Sequence, residues 1–235
     1  MTVETETPEP AESTDRRERH RLRLTYVLLL LTVSSGIVDA VSYLGLNHVF
    51  TANMTGNVVV LGFATAGAEG FSVTHTLTSI GLFLVGAIGG GRLAGLLATH
   101  SRGAWSRTSL AIEAALLLAA ALVAFTVPDN GARAYILLAV TALAMGMRNA
   151  TVRKLGVPGI ATTTVVTTTL TALVSESPLG GGTGDHGILR TAAVIALFCG
   201  ALLGAWLVLT HGPGVPLLVA AVLAGLLAVV SSGRD

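Results

Sequence analysis

Gly36-Ile-Val-Asp-Ala-Val-Ser-Tyr-Leu-Gly-Leu-Asn-His-Val-Phe-Thr-Ala-Asn-Met-Thr-Gly-Asn57 is the stretch on which the fold turns. It starts inside an apolar run that reaches back to Leu24 and ends in a cluster of Thr, Asn and Gly. About 20 consecutive apolar residues are needed to cross a hydrocarbon core of about 30 Å, and the run before the cluster meets that need. Working outward, comparable runs lie near 74–98, 108–127, 133–153, 188–210 and 214–231, with the first at 24–46. The 235 residues are 52% hydrophobic and 11% charged, with a mean hydropathy of +0.75. Soluble domains carry roughly 25% charged residues, so the bilayer is this chain's solvent. The expected fold is all-α, a polytopic membrane protein of about six transmembrane helices.

The basic segment Arg16 to Arg23 ahead of an apolar stretch has the outline of a signal peptide. It lacks an Ala-x-Ala cleavage site, and the stretch runs on through Val38, so a retained first helix is expected. Residues 1–22 are expected to form a disordered cytoplasmic tail, since 1–18 are rich in Glu, Thr and Pro. Residues 23–231 then form a single integral membrane domain. A net charge of +1 with basic residues at span ends excludes a nucleic-acid surface. The single Cys199 allows no intrachain disulfide.

Two moderately apolar stretches, 48–67 and 158–175, do not fit the pattern because Thr, Asn and Gly interrupt them. A repeat brings them into register. Gly36-Ile-Val-Asp39-Ala40 aligns with Gly146-Met-Arg-Asn149-Ala150 at an offset of 110, the Asn53-Met-Thr55 region with Val165-Val-Thr167 at 112, and Gly86, Ala87 and Gly90 with Gly200, Ala201 and Gly204 at 114. The halves are 24–127 and 133–231. If 48–67 enters and leaves on one face, Arg102, Arg107, Arg153 and Lys154 fall on the side of the N-terminal arginines, as cytoplasmic positive charge requires. Each half then has three spans, an odd number, and the second half is inverted. Paired broken segments of this kind form the solute path in many transporters and channels. Eight complete spans with parallel halves are the alternative.

Irregular backbone at membrane depth must be satisfied by protein or by a water-filled cavity, so the breaks point inward. Thr51, Asn53, Thr55, Gly56 and Asn57 in the first break, and Thr163, Thr164 and Thr167 in the second, offer neutral donors and acceptors to a solute. Asp39 is a carboxylate within a span and is costly unless paired or functional. It either binds a cation or proton, caps the break, or pairs with Arg148. Arg148 and Asn149 complete the candidate set, Arg148 as an anion attractor. Glu113 reads as an interfacial or intersubunit carboxylate, and Arg92 as a headgroup contact. The glycines Gly86, Gly90, Gly200 and Gly204 permit close helix packing, between halves or between subunits. No His pair at metal-ligand spacing, nucleophile motif or phosphate loop is present, so no metal, cofactor or enzymatic activity is expected.

Gly36-Ile-Val-Asp39-Ala40, Phe50-Thr-Ala-Asn53-Met-Thr55-Gly56-Asn57 and Met145-Gly-Met-Arg-Asn149-Ala150 together resemble the YoaK-like family of bacterial membrane proteins. The resemblance covers residues 22 to 230. Where the family pattern reads Gln-Asn-Ala and Thr-Gly, this chain has Arg148-Asn149-Ala150 and Thr167-Thr168. The resemblance implies the bacterial inner membrane and small-molecule transport. The expected function is therefore a transporter or channel for a small polar or anionic solute, with a non-transport scaffold or intramembrane enzyme as the alternative. Expected partners are the bilayer and the solute. Self-association stays open.

Overall fold

The computed structural model describes residues 11–97, 102–155 and 166–230. They form eight α-helices: α1 (Ala11–Gly45), α2 (Met54–Thr65), α3 (Val73–Leu97), α4 (Arg102–Thr126), α5 (Gly131–Leu155), α6 (Val166–Ser175), α7 (Gly187–His211) and α8 (Gly214–Val230). Five carry segments long and apolar enough to cross a membrane: Thr25–Gly45, Val73–Leu97, Ala104–Thr126, Gly131–Leu155 and Gly187–His211. The sixth expected span, α8, is equally apolar but has 17 residues, about 26 Å of helix. With 12 residues, α2 is far too short to cross, which does not fit eight complete spans; α6 is described over the 10 residues Val166–Ser175.

Helix begins at Ala11, so residues 11–22 are helical where disorder is expected from composition; residues 1–10 lie outside the described residues. The physical reason is propagation. Glu and Arg are good helix formers, and extending an existing apolar helix avoids the cost of nucleating a new one.

Helix directions follow from contacts at both ends. Let the near end be where the α1 span starts, at Thr25, and the far end where α1 finishes, at Gly45. His75 stacks on Tyr135 at the far end, Gly86 meets Leu143 midway, and Lys154 Nζ donates to Gly91 O at the near end, so α3 and α5 run parallel. Gly200 lies on Val33 and Gly204 on Ile37, so α1 and α7 run parallel as well. Gly214 against Phe125 and Gly225 against Ala114 make α4 and α8 antiparallel. Arg148 of α5 reaches Leu31 of α1, while Asn47, just after α1, bonds through His75 to the start of α5; these two helices are antiparallel.

Packing partners recur four elements on. Helix α1 packs on α7 and α8 as α5 packs on α3 and α4, and α2 rests on α3 as α6 rests on α7. The glycines explain the closest crossings. A Cβ on Gly86 would run into the Leu143 carbonyl, one on Gly146 into Phe83 O, and one on Gly200 into Val33 O, so backbones touch where only glycine fits. The glycine contacts therefore join the two halves. Gly91 and Gly95 face open space.

Leu31, Ile37, Val38 and Val41 of α1, Leu117 and Ala120 of α4, Leu137, Leu138 and Met145 of α5, and Leu217 and Ala220 of α8 fill the interior. Among the spans, α1 and α5 are the most buried and α3 and α7 the least. The outward faces of α3 and α7, with Leu84, Ile88, Phe198 and Leu202, present apolar surface suited to lipid.

Candidate functional site

Two polar structures occupy this apolar body. The first is built by the break after α1. Asn47 and His48 adopt positive φ (62° and 57°), a left-handed turn that folds the chain back along α1. Leu46 and Val49 are buried and anchor that turn. The returning backbone lacks helical hydrogen bonds and takes them from side chains. Asp39 Oδ1 accepts the N–H of Thr51 at 3.2 Å and of Ala52 at 2.9 Å. Asn57 grips Phe50 as a neighbouring strand would: its Oδ1 accepts the Phe50 N–H at 2.8 Å, and its Nδ2 donates to Phe50 O at 2.7 Å. Ser79 of α3 donates to the same carbonyl at 2.6 Å and accepts a second Nδ2 bond at 3.2 Å.

Helix α2 then starts from Asn53, whose Oδ1 accepts the Gly56 N–H at 3.2 Å as an N-cap. Gly56 lies against the Phe50 ring, which a Cβ would meet at 2.8 Å. The segment leaves and rejoins at one end of the molecule: Phe71, just before α3, contacts both Phe63 and His48, and Asn47 Nδ2 lies 3.0 Å from His75 Nε2.

The second structure sits where α1, α4 and α5 meet. Arg148, 1% exposed, gives its Nε–H to Glu113 Oε1 at 2.9 Å and a second bond from Nη2 to the same oxygen. Nη1 donates to Leu31 O at 3.1 Å and Ser35 Oγ at 2.9 Å, and Nη2 to Ser34 Oγ at 2.7 Å. A guanidinium has five N–H donors, and all five are used. Such a pair is tolerated in the interior because its charges cancel and its donors are satisfied. One turn toward the near end, Ser109 and Thr151 join α4 to α5 through their hydroxyls.

Residues 27–230 match the family described as Protein of unknown function (DUF1275). The chain belongs to this family. It is also 36% identical over 153 residues to the UPF0700 transmembrane protein YoaK of Bacillus subtilis (strain 168), a match covering 64% of this chain and 65% of that relative. No solved structure matches. The DUF1275 chain is thus a membrane protein of the YoaK-like group, in agreement with the resemblance carried by its motifs.

Within this DUF1275 chain the candidate residues separate by role. Asp39, Thr51, Asn53, Gly56 and Asn57 come together, with their polar groups mostly engaged in holding the break. Thr51 Oγ1 is the exception, buried and without a partner. Thr55 is exposed. Arg148 pairs with Glu113, not Asp39, and keeps no N–H for an anion. Asn149 donates to Met145 O at 2.9 Å. Thr163 and Thr164 lie outside the described residues, and Thr167 is exposed on α6.

Glu113 is a correction. At 1% exposure it is a core residue of the chain, not an interfacial carboxylate, because the buried Arg148 needs a counter-charge. Nor do the described parts of the two breaks meet, since α2 packs on α3 and α6 on α7 at opposite ends. The polar centre is made by α1, α4 and α5 instead. Sequence reading passes over Ser34, Ser35 and Ser79 and places Glu113 at an interface. Charge neutrality could have found Glu113: besides Asp39 it is the one acidic residue inside an apolar span.

Proposed function

We propose that this protein is a bacterial inner-membrane transporter or channel for a small polar solute, built from two inverted three-span repeats with α8 as the sixth span. One observation carries the reading. Polar side chains line up through the apolar body: Thr51 and Asp39 toward the far end, Ser35, Ser34, Arg148 and Glu113 in the middle, Ser109 and Thr151 toward the near end. Each is costly in a bilayer, and a column of them is the ordinary signature of a path for something hydrated. Because Arg148 has every N–H engaged, an uncharged solute fits better than an anion.

Support for inversion comes from packing partners that recur four elements on, and from the repeat mates α1 and α5, which run in opposite directions. A re-entrant 48–67 agrees with the meeting of Phe71 and His48. For orientation, Arg92, Arg107, Arg153, Lys154 and Arg190 belong to the near end and Arg133 to the far end, which favours a cytoplasmic near end and N-terminus. The competing scaffold reading draws on the closed Arg148 cluster, whose donors are satisfied within the protein.

Flux into proteoliposomes separates the two. Wild-type protein is expected to admit members of a panel of uncharged polar solutes, and Asp39→Asn to slow them about tenfold as the break loosens. Folded protein that passes no solute across a broad panel would leave the scaffold. Cysteine accessibility along 48–67 tests the topology, and labelling of its two ends from opposite faces would sink the inverted arrangement.

A further inference from the structure

Buried polar atoms without hydrogen-bond partners include Trp105 Nε1 and Glu113 Oε2. Both belong to one side of α4. They are eight residues apart, about 12 Å along the axis, and Ser109 lies four residues from each. Trp105 is 6% exposed, and Ser109 and Glu113 1% each. Thr151 gives its own hydroxyl proton to Met147 O at 2.9 Å, so Ser109 is the donor in the bond between them and keeps acceptor capacity.

The row therefore reads indole N–H, hydroxyl oxygen, carboxylate oxygen. It starts in the first turn of α4 at the near end and finishes on the ion pair. Neither orphan can satisfy the other across that span. Native interiors rarely leave such atoms dry, and water, both donor and acceptor, is the group that bridges them.

Glu113 gives the row its end point. A carboxylate facing a guanidinium commonly uses both oxygens, yet here Nε and Nη2 of Arg148 both go to Oε1. Oε2 is left as a buried acceptor. The charge around it is already balanced: Arg148 faces Glu113 from α5, Ser34 and Ser35 from α1 are neutral, and α8 has no ionisable residue. An added ion would be uncompensated, whereas a neutral donor would not.

We propose that Trp105, Ser109 and Glu113 line a water-filled limb that opens at the near end and terminates on Glu113 Oε2, which receives a neutral hydrogen-bond donor: water, or an O–H or N–H of the solute. The limb deepens the transport reading by supplying the near half of the path. It rests on that reading only for the solute, because water access is measured without flux and either can fail alone.

The chain has two tryptophans, so Trp206→Phe leaves Trp105 as the only reporter. In lipid nanodiscs its emission is expected to be quenched by acrylamide, a neutral aqueous probe, and to rise in D2O as the indole N–H exchanges. In a Cys199→Ser background, Ser109→Cys is expected to react with a small methanethiosulfonate reagent at least about tenfold faster than Leu117→Cys, which lies two turns from Ser109 beyond Glu113 in the apolar core. In sealed proteoliposomes that labelling should come from the near side. Trp105 indifferent to acrylamide and D2O, with Ser109→Cys inert in protein that elutes like wild type, would overturn the limb. So would labelling of Ser109→Cys from the far side alone.

Discussion

The glycine crossings and the polar centre obey different rules. Crossings come in pairs: Gly200 and Gly204 seat α7 on α1, and their repeat mates Gly86 and Gly90 seat α3 on α5. The centre comes once. Arg148 and Glu113 have no charged counterparts in the other half, where the matching positions carry Val38 and a run of Gly, Leu and Ala near residue 225. Each crossing seats a lipid-facing span on a buried one, so small residues serve the same purpose at both. A buried ion pair at the shared interface is needed once, and a second copy would double the desolvation cost for no packing gain.

Breaking the pair is expected to have the largest effect. Glu113→Ala leaves a guanidinium buried without its counter-charge and should cost about 3–5 kcal/mol of stability in denaturant titrations in mixed micelles. Glu113→Leu combined with Arg148→Met should recover most of that loss, since both charges leave together. If the double variant is as unstable as the single one, the centre is held by something other than mutual neutralisation.

The symmetric part is tested by matched overpacking. Gly86→Val and Gly200→Val each drive a branched side chain into a backbone carbonyl, Leu143 O and Val33 O respectively, and should each cost about 1–3 kcal/mol. Similar losses sharpen the comparison. A loss confined to one crossing would mean that the two crossings resemble each other in sequence but not in mechanics.

Within the first break, Asn57→Ala removes both bonds to the Phe50 backbone and should cost about 1–3 kcal/mol. Thr55→Ala, two residues away and exposed, should stay within about 0.5 kcal/mol. Equal effects would erase the distinction between residues that hold the break and those that only accompany it.

These contrasts also mark what the sequence made legible. Hydropathy places spans at 74–98 and 188–210 where the structure has α3 at Val73–Leu97 and α7 at Gly187–His211, because bilayer thickness dictates length and composition. Offsets near 110 residues bring into register the same elements that share packing roles. The purpose of the Asn-x-Thr-Gly-Asn motif was less visible. In sequence its amides are polar groups available to a solute; in three dimensions Asn57 and Asn53 stand in for missing backbone partners, a role decided by how the chain turns at Asn47 and His48. Arg148 and Glu113 were each visible but their pairing was not, because they are 35 residues apart and only the meeting of α4 with α5 brings the two together.

That meeting bears on how the chain is made. Helix α4 carries a carboxylate and α5 a guanidinium, joined by the four residues 127–130. Released singly into lipid, each charge would oppose insertion by about 2.5–3.5 kcal/mol near mid-bilayer. Inserted together as one hairpin, they would neutralise each other. Helix α1 is synthesised earlier and stands ready with Leu31 O, Ser34 and Ser35 to receive the remaining donors, so the order of translation is also the order in which this ion pair can be assembled.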